Sequence, residues 1–259
     1  MTFTDQGGFA VRFEWGEEAV RSLAPHCDAV VIVDVLSFST ATDVALGRGA
    51  AVLPYRWKDE SAARFAAQHG ALLASRERGA GGYSLSPASL ATLPPGARLV
   101  LPSPNGATLS ALAHEAGAGA VFTACLRNAP AVAAYIGASI EARYRRVLVV
   151  AAGERWPGGT LRPAVEDLWG AGAVISALRS SDLYGGGRTT CSPEAQAAAD
   201  AFLAVRPYLS VRLRECSSGR ELTERGSGED LTWAAAFGVS GAVPLLQGGA
   251  YRSVGGSVN

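Results

Sequence analysis

Residues 29–40 read AVVIVDVLSFST, a short, continuous apolar run that ends in Asp34 and then in hydroxyl side chains. Such runs are typical of strands that helices cover on both faces. Packing does not require the polar residues that follow, and the next stretch is helix-like. The segment therefore predicts a buried parallel strand whose carboxyl end carries functional side chains.

Strand-like runs alternate with helix-like stretches along most of the chain. The predicted strands lie near residues 9–14 and at 29–34, 51–55, 71–75, 98–102, 120–125 and 146–151. The predicted helices lie at about 17–23, 39–48, 59–69, 106–115, 129–143 and 164–180. This alternation predicts an α/β fold, a three-layer α/β/α sandwich with a mostly parallel central sheet. Right-handed crossovers would bring the strand ends to one edge of that sheet.

The C-terminal part departs from this alternation. It contains a predicted loop at 184–188, helical patches at 193–204 and 230–237, an apolar stretch at 242–246 that is expected to return to the sheet, and a tail at 248–259 that is expected to fray. We see neither an internal repeat nor a clean linker. We therefore expect one α/β domain over 1–259, with a more irregular, partly helical portion at 181–259.

Composition limits the function classes. The chain has 259 residues, of which 48% are hydrophobic and 18% charged, and its 23 basic residues balance 23 acidic ones. This is typical of a globular protein without a basic field for nucleic acid. No apolar run approaches the roughly 18 residues of a membrane span, and no basic leader segment is seen, so we expect a cytoplasmic protein without membrane association. The four dispersed cysteines form no C-x-x-C pair and are expected to be reduced.

Missing motifs exclude several catalytic chemistries. The only lysine, Lys58, is not part of a phosphate-binding P-loop, and no cysteine has an arginine at the C-x5-R spacing. The sequence has no G-x-S-x-G elbow, no second acid in Asp34-Val35-Leu36 and no histidine with metal-ligand spacing. What remains is carboxylate chemistry, which suits Mg²⁺ because that ion takes oxygen ligands. The candidate acids are Asp34, Glu77, Glu154, Glu166 and Asp167.

Each polar motif also has a purely structural interpretation. Asp34 or Asn128 could cap a helix, and Glu166 and Asp167 could complement a helix dipole. The cluster around Glu77 could be a solvated charged surface, and Asn105-Gly106 is a common turn pair. The shared placement of these motifs at predicted strand ends favours the functional interpretation.

The order of the motifs resembles that of the 2-phosphosulfolactate phosphatase family. The matching segments are DVLSFST (34–40), ERG (77–79), SP (86–87), NG (105–106), NA (128–129), AG (152–153), ED (166–167) and GAG (170–172). The resemblance runs from about residue 28 to 246. It implies a three-layer α/β/α fold, Mg²⁺-dependent phosphate ester hydrolysis, and the role of this family in coenzyme M biosynthesis.

The chain departs from the family pattern at positions that bear on the substrate. Ser37 stands where the family commonly has an arginine, and Pro102-Ser103-Pro104-Asn105-Gly106-Ala107 replaces a threonine-rich segment. An arginine fork makes bidentate bonds to anions that a serine hydroxyl cannot replace. We therefore expect a less acidic or differently shaped ester, unless Arg76, Arg127 or Arg155 supplies the missing fork.

The resemblance and the strand-end placement together assign roles to individual residues. The predicted catalytic residues are Asp34, Glu77, Arg78, Asn105 and Asp167. The predicted substrate-binding residues are Ser37, Ser39, Thr40, Ser103, Gly106 and Asn128. The predicted Mg²⁺ ligands are Asp34, Glu166 and Asp167. Arg78 would bind the phosphoryl oxygens, and Glu77 or Asp167 would orient the attacking water.

The expected partner is a small anionic phosphate ester, and a homodimer remains open. One alternative is a non-catalytic binding protein for a phosphorylated or sulfonated metabolite. Another is a different enzyme, such as a lyase, that uses the same anion-binding rim. Turnover of phosphate esters with and without Mg²⁺ separates the first alternative from a phosphatase.

Overall fold

The computed structural model describes residues 3–57, 59–75, 78, 81–138, 143–180 and 190–254. Within these residues the strands are β1 (Val11–Trp15), β2 (Ala29–Val33), β3 (Ala51–Tyr55), β4 (Leu72–Leu73), β5 (Arg98–Pro102), β6 (Val121–Ala124), β7 (Val147–Ala151), β8 (Glu154–Arg155), β9 (Leu161–Arg162), β10 (Pro244–Gln247) and β11 (Ala250–Ser253). The helices are α1 (Gly16–Leu23), α2 (Phe38–Gly47), α3 (Ser61–Gln68), α4 (Pro87–Leu90), α5 (Gly106–Glu115), α6 (Ala129–Ala138), α7 (Val165–Ser180), α8 (Pro193–Val205), α9 (Leu209–Glu215), α10 (Ser217–Glu224) and α11 (Glu229–Ala235). The predicted loop at 184–188 lies outside the described residues.

The central strand β2 is apolar on both faces because helices cover both. Val31 and Val33 belong to the core cluster that includes residues of α6, α7 and α8. Val30 and Ile32 belong to the cluster that includes residues of α1 and α5. The continuous apolar run at 29–33 thus reflects a sheet between two helical layers, and the predicted three-layer α/β/α class is confirmed.

The main sheet has nine strands in the order β1-β7-β2-β6-β10-β11-β3-β5-β4. The block β1-β7-β2-β6 is parallel within itself, and so is the block β3-β5-β4. The hairpin of β10 and β11 joins the blocks through three antiparallel pairings, so β5 runs opposite to β2 along the ladder. The expectation that all strand ends reach one edge by parallel pairing is therefore wrong.

The hairpin corrects part of a second expectation, that the tail at 248–259 is frayed; residues 255–259 lie outside the described residues. The apolar stretch at 242–246 does return to the sheet as β10, but the chain then turns at Gly248 and Gly249 and returns as β11. Tyr251 pairs with Val52 of β3 and is fully buried, and its hydroxyl lies 2.7 Å from Ser110 Oγ. These partners are distant in sequence, so local composition gave no sign of them.

All four cysteines are buried and form no disulfide. No helix among the described residues is long and apolar enough to cross a membrane.

Candidate active site

The carboxylate of Asp34 joins the N-termini of two helices. Its Oδ1 accepts a hydrogen bond from the amide of Phe38, the first residue of α2, at 3.2 Å. Its Oδ2 accepts one from the amide of Gly106, the first residue of α5, at 2.9 Å. Helix N-termini are electropositive, so this position stabilises a carboxylate or another anion. The capping interpretation of Asp34 is therefore correct, whatever further role the residue has.

The two helices meet closely because position 106 is glycine. A Cβ atom there would lie only 2.3 Å from Cδ1 of Phe38. The loops after β2 and β5 thus come together although these strands run in opposite directions along the ladder. Sheet twist gives a physical reason, since roughly 20–25° per strand accumulates to more than 90° over the five steps from β2 to β5.

Several of the predicted residues share a cavity of about 580 Å³ at this meeting point. The predicted residues among its lining are Asp34, Ser37, Arg78, Ser103 and Asn105. They come from the loops after β2 and β5 and from the segment between β4 and α4. Glu77 lies outside the described residues, so its position stays a prediction.

Arg78 is held in the cavity by two partners from distant parts of the chain. One guanidinium nitrogen donates to Ser37 Oγ at 2.8 Å, and another forms an ion pair with Asp230 of α11. Asp230 is almost fully buried and also accepts hydrogen bonds from Ser86 Oγ and, at 3.4 Å, from the amide of Ala88. This network orients the guanidinium group, which is a planar donor for phosphate or carboxylate oxygens.

Glu154, a candidate acid to which the sequence assigned no specific role, also lines this cavity. It directly follows the loop after β7, lines the cavity and accepts a 3.1 Å hydrogen bond from Asn105 Nδ2. Burial, and then the negative charge of Asp34, raise the pKa of Glu154 from 4.5 to about 7. Its place just after a buried apolar strand marked it as a candidate acid, but only the folded geometry shows its environment.

Asp167 is not among the residues that line this cavity, and its predicted catalytic and metal-binding roles stay predictions. Its Oδ1 accepts from the amide of Val35 at 2.7 Å, and its Oδ2 accepts from that of Gly153 at 2.9 Å. Burial, followed by the charges of Asp34 and Glu166, raises the pKa of Asp167. The side chain therefore links the loop after β2 to the loop after β7 through these two hydrogen bonds.

Glu166 likewise lies away from the cavity lining. It is buried, and its negative charge adds to the effect of burial in raising the pKa of the Cys216 thiol. The predicted metal set of Asp34, Glu166 and Asp167 is thus not assembled around one point in this cavity, and Asp34 alone lines it. The acidic pair at the start of α7 follows the helix-dipole pattern, which the sequence could not separate from a ligand pattern.

Three of the predicted substrate-binding residues are fully buried and bond within the protein. Ser39 Oγ accepts from the amide of Asp34 at 2.9 Å, and Thr40 Oγ1 donates to the carbonyl of Val35 at 2.7 Å. Asn128 Oδ1 accepts from the amide of Cys125 at 2.8 Å. These side chains are not among the residues that line the cavity, and the hydrogen bonds named here go to backbone groups of the turns at the strand ends.

Two of the three arginines considered as replacements for the one missing at position 37 form ion pairs with other residues. Arg127 pairs with Asp43 at 2.8 Å, Arg155 pairs with Glu17, and Arg76 lies outside the described residues. A further arginine that the sequence did not single out, Arg225 of the α10 C-terminus, lines the large cavity.

Among the described residues, no group of three or more histidine, cysteine, aspartate and glutamate side chains could hold a metal ion. The lining still fits a magnesium ion that takes most of its ligands from phosphate and water, because one or two carboxylates suffice for such a site. Asp34 and Glu154 both face the cavity, and their mutual repulsion contributes to the raised pKa of Glu154. A cation between them would relieve that repulsion.

The site thus belongs to an α/β protein whose loops gather carboxylates, an oriented arginine and hydroxyl groups around one cavity, a composition suited to small anionic esters. The family model for 2-phosphosulpholactate phosphatase matches residues 17–249, nearly the whole chain, and the chain therefore belongs to this family of phosphatases. The resemblance drawn from the sequence motifs is confirmed. No curated protein matches the chain at a significant level.

Proposed function

We propose that this chain is a Mg²⁺-dependent phosphatase that hydrolyses a small acidic phosphate monoester, 2-phosphosulfolactate or a related 2-phospho acid. The observation that carries the proposal is the position of Arg78. Its guanidinium, held by Ser37 and Asp230, faces the same cavity as the carboxylates of Asp34 and Glu154. An anion-binding group beside carboxylates is the combination that metal-assisted phosphate hydrolysis requires.

In this proposal each group has a separate task. Arg78 donates hydrogen bonds to the phosphoryl oxygens, and the hydroxyls of Ser37 and Ser103 add donors at the same wall. Asp34 holds the magnesium ion or its waters. The bound ion supplies positive charge that offsets the negative charge on the phosphoryl oxygens.

Glu154 replaces Asp167 as the proposed base for the attacking water. Asn105 holds its carboxylate by the 3.1 Å hydrogen bond. Unlike the oxygens of Asp167, which accept from two backbone amides, this carboxylate faces the cavity where water and ester would meet. A pKa of about 7 leaves it partly ionised near neutral pH, as a general base should be.

The single domain and the cytoplasmic location expected from the sequence are part of this proposal, and so is the step in coenzyme M biosynthesis that the family implies. A measurement of the protein's mass in solution would decide whether it forms a homodimer.

Phosphate release tests the proposal. The wild type should release phosphate from 2-phosphosulfolactate, 2-phospholactate or 2-phosphoglycerate, lose this activity after exhaustive chelation and regain it with Mg²⁺. Arg78→Lys keeps the charge but loses the planar fork, so it should raise KM by about tenfold or more, roughly one bidentate contact. Binding of these esters without any turnover would favour a non-catalytic binding protein and contradict the proposal.

A further inference from the structure

A second, smaller chamber of about 220 Å³ adjoins the large cavity. The two share the side chains of Pro104, Asn105 and Glu154 in their linings. The hydrogen-bonded pair of Asn105 and Glu154 therefore forms the wall between them. A ligand that extends from Arg78 in the large cavity into this chamber would pass these shared residues, which include the proposed base.

Leu161 lines one side of the small chamber although about 40% of it is exposed. It packs against two glycines: a Cβ atom on Gly153 would lie 2.7 Å from Cδ1 of Leu161, and one on Gly16 would lie 3.3 Å from the same atom. Trp15 and Leu109 supply further apolar lining. The chamber thus has an apolar side that suits a small uncharged group.

The cation that lines the small chamber is already neutralised. Arg155 forms an ion pair with Glu17 of α1 and donates to the carbonyl of Gly159 at 3.0 Å. Glu17 also accepts from Arg21 at 3.3 Å. The chamber therefore offers an acidic group no uncompensated positive charge, whereas the large cavity offers the fork of Arg78.

We propose that the small chamber binds the carbon-3 arm of a 2-phospho acid, and that the Glu17–Arg155 ion pair selects a neutral arm over a sulfonated one. This rests on the proposed phosphatase function and narrows its substrate class. The phosphate and carboxylate lie with Arg78 and the hydroxyls of the large cavity. The ester bond then lies beside Glu154, and the arm extends past it into a partly apolar space where carboxylates outnumber the one arginine.

Two esters that differ only in the arm test this proposal. 2-Phospholactate ends in a methyl group where 2-phosphosulfolactate carries a sulfonate, so the ratio of their kcat/KM values reports on the chamber. Glu17→Gln leaves the charge of Arg155 uncompensated there and should raise the ratio of sulfonated to neutral ester by about fivefold, the upper range for a solvent-screened pair. Arg155→Met removes the cation instead and should lower the ratio.

Glu194→Gln is the matched control. It makes the same charge change at an exposed position of α8 that does not line the chamber. It should leave the ratio within about twofold, because water screens that charge.

The possible results distinguish a failure of the proposed phosphatase function from a failure of the chamber proposal. If wild-type protein turns over neither ester, the proposed function fails and the chamber proposal fails with it. If it turns over both esters, but Glu17→Gln leaves the ratio unchanged, or Glu194→Gln raises it equally, or Arg155→Met raises it, the chamber proposal alone is overturned.

Discussion

Replacing Glu154 with glutamine tests whether the environment of this carboxyl group raises its pKa in the folded protein. Burial and then the charge of Asp34 raise its pKa from 4.5 to about 7 in the folded protein. Glutamine has nearly the same shape, and its amide oxygen can still accept the hydrogen bond from Asn105. It does not titrate, so the variant removes the pH dependence of this one site.

The raised pKa fixes the sign of the effect on stability. The folded chain keeps the proton of Glu154 to a higher pH than the unfolded chain does. The free energy of unfolding therefore falls as the pH rises from about 4.5 to about 7, and the loss is complete above that range. A rise from 4.5 to about 7, at 1.36 kcal/mol per pKa unit, sets an upper limit of about 3 kcal/mol. Partial exposure of the side chain reduces the expected value to about 1–2 kcal/mol.

Urea unfolding of metal-free protein at pH 5 and pH 8 measures this effect. The quantity to compare is the free energy of unfolding of wild type minus that of Glu154→Gln, because other titrating groups cancel in the difference. It should be about 1–2 kcal/mol lower at pH 8 than at pH 5. Glu224→Gln removes an exposed carboxylate of α10 and should show no such change.

An equal difference at both pH values would refute the reasoning, because the carboxyl group would then have an ordinary pKa in the folded state. Activity gives an independent readout on the same variant. If Glu154 is the base, Glu154→Gln should lower kcat by at least about a hundredfold and remove the acidic limb of the pH–rate profile.

Three further predictions concern residues around the cavity. Asp34→Asn should lower the free energy of unfolding by about 1–3 kcal/mol, because its NH₂ group would face one of two backbone amides that now donate to the carboxylate. If Asp34 also holds the metal, kcat should fall by about a hundredfold. Unchanged activity would show a capping role alone. Asp230→Asn should raise KM by about tenfold with a smaller change in kcat, because Arg78 loses its charged partner. Ser86→Ala, which leaves that ion pair intact, is the control. Equal effects of both variants would contradict a positioning role for Asp230. Gly106→Ala should lower the melting temperature by several degrees, since its methyl group would overlap Phe38, whereas Gly47→Ala, with open space around it, should not; calorimetry on both variants decides this.

Local signals were sufficient for the fold class and for part of the site. A continuous apolar run such as 29–33 can be stable only between two covering layers, so the α/β/α class follows from the residues themselves. The polar residues after β2 and β5 stand out because packing does not need them, and Asp34, Ser37, Ser103 and Asn105 do line one cavity. Hydrophobic periodicity and strand-end chemistry are properties of neighbouring residues, which is why they can be read without the fold.

Other features depend on partners that are distant along the chain. The hydroxyls of Ser39 and Thr40 are indistinguishable in sequence from that of Ser37, yet only the last faces the cavity. Which polar atoms remain available depends on how the turns use their hydrogen bonds, and this is settled only when the chain folds.

The amino-acid order alone was enough for the family, the layered architecture and the acid-rich, arginine-bearing character of the site. Tertiary structure alone decided that the C-terminal hairpin separates the two parallel blocks, that Asp230 holds Arg78, and that Glu154, rather than Asp167, faces the cavity. The physical reason is that strand pairing, buried ion pairs and pKa shifts are set by distances between segments, and those distances exist only in the folded chain.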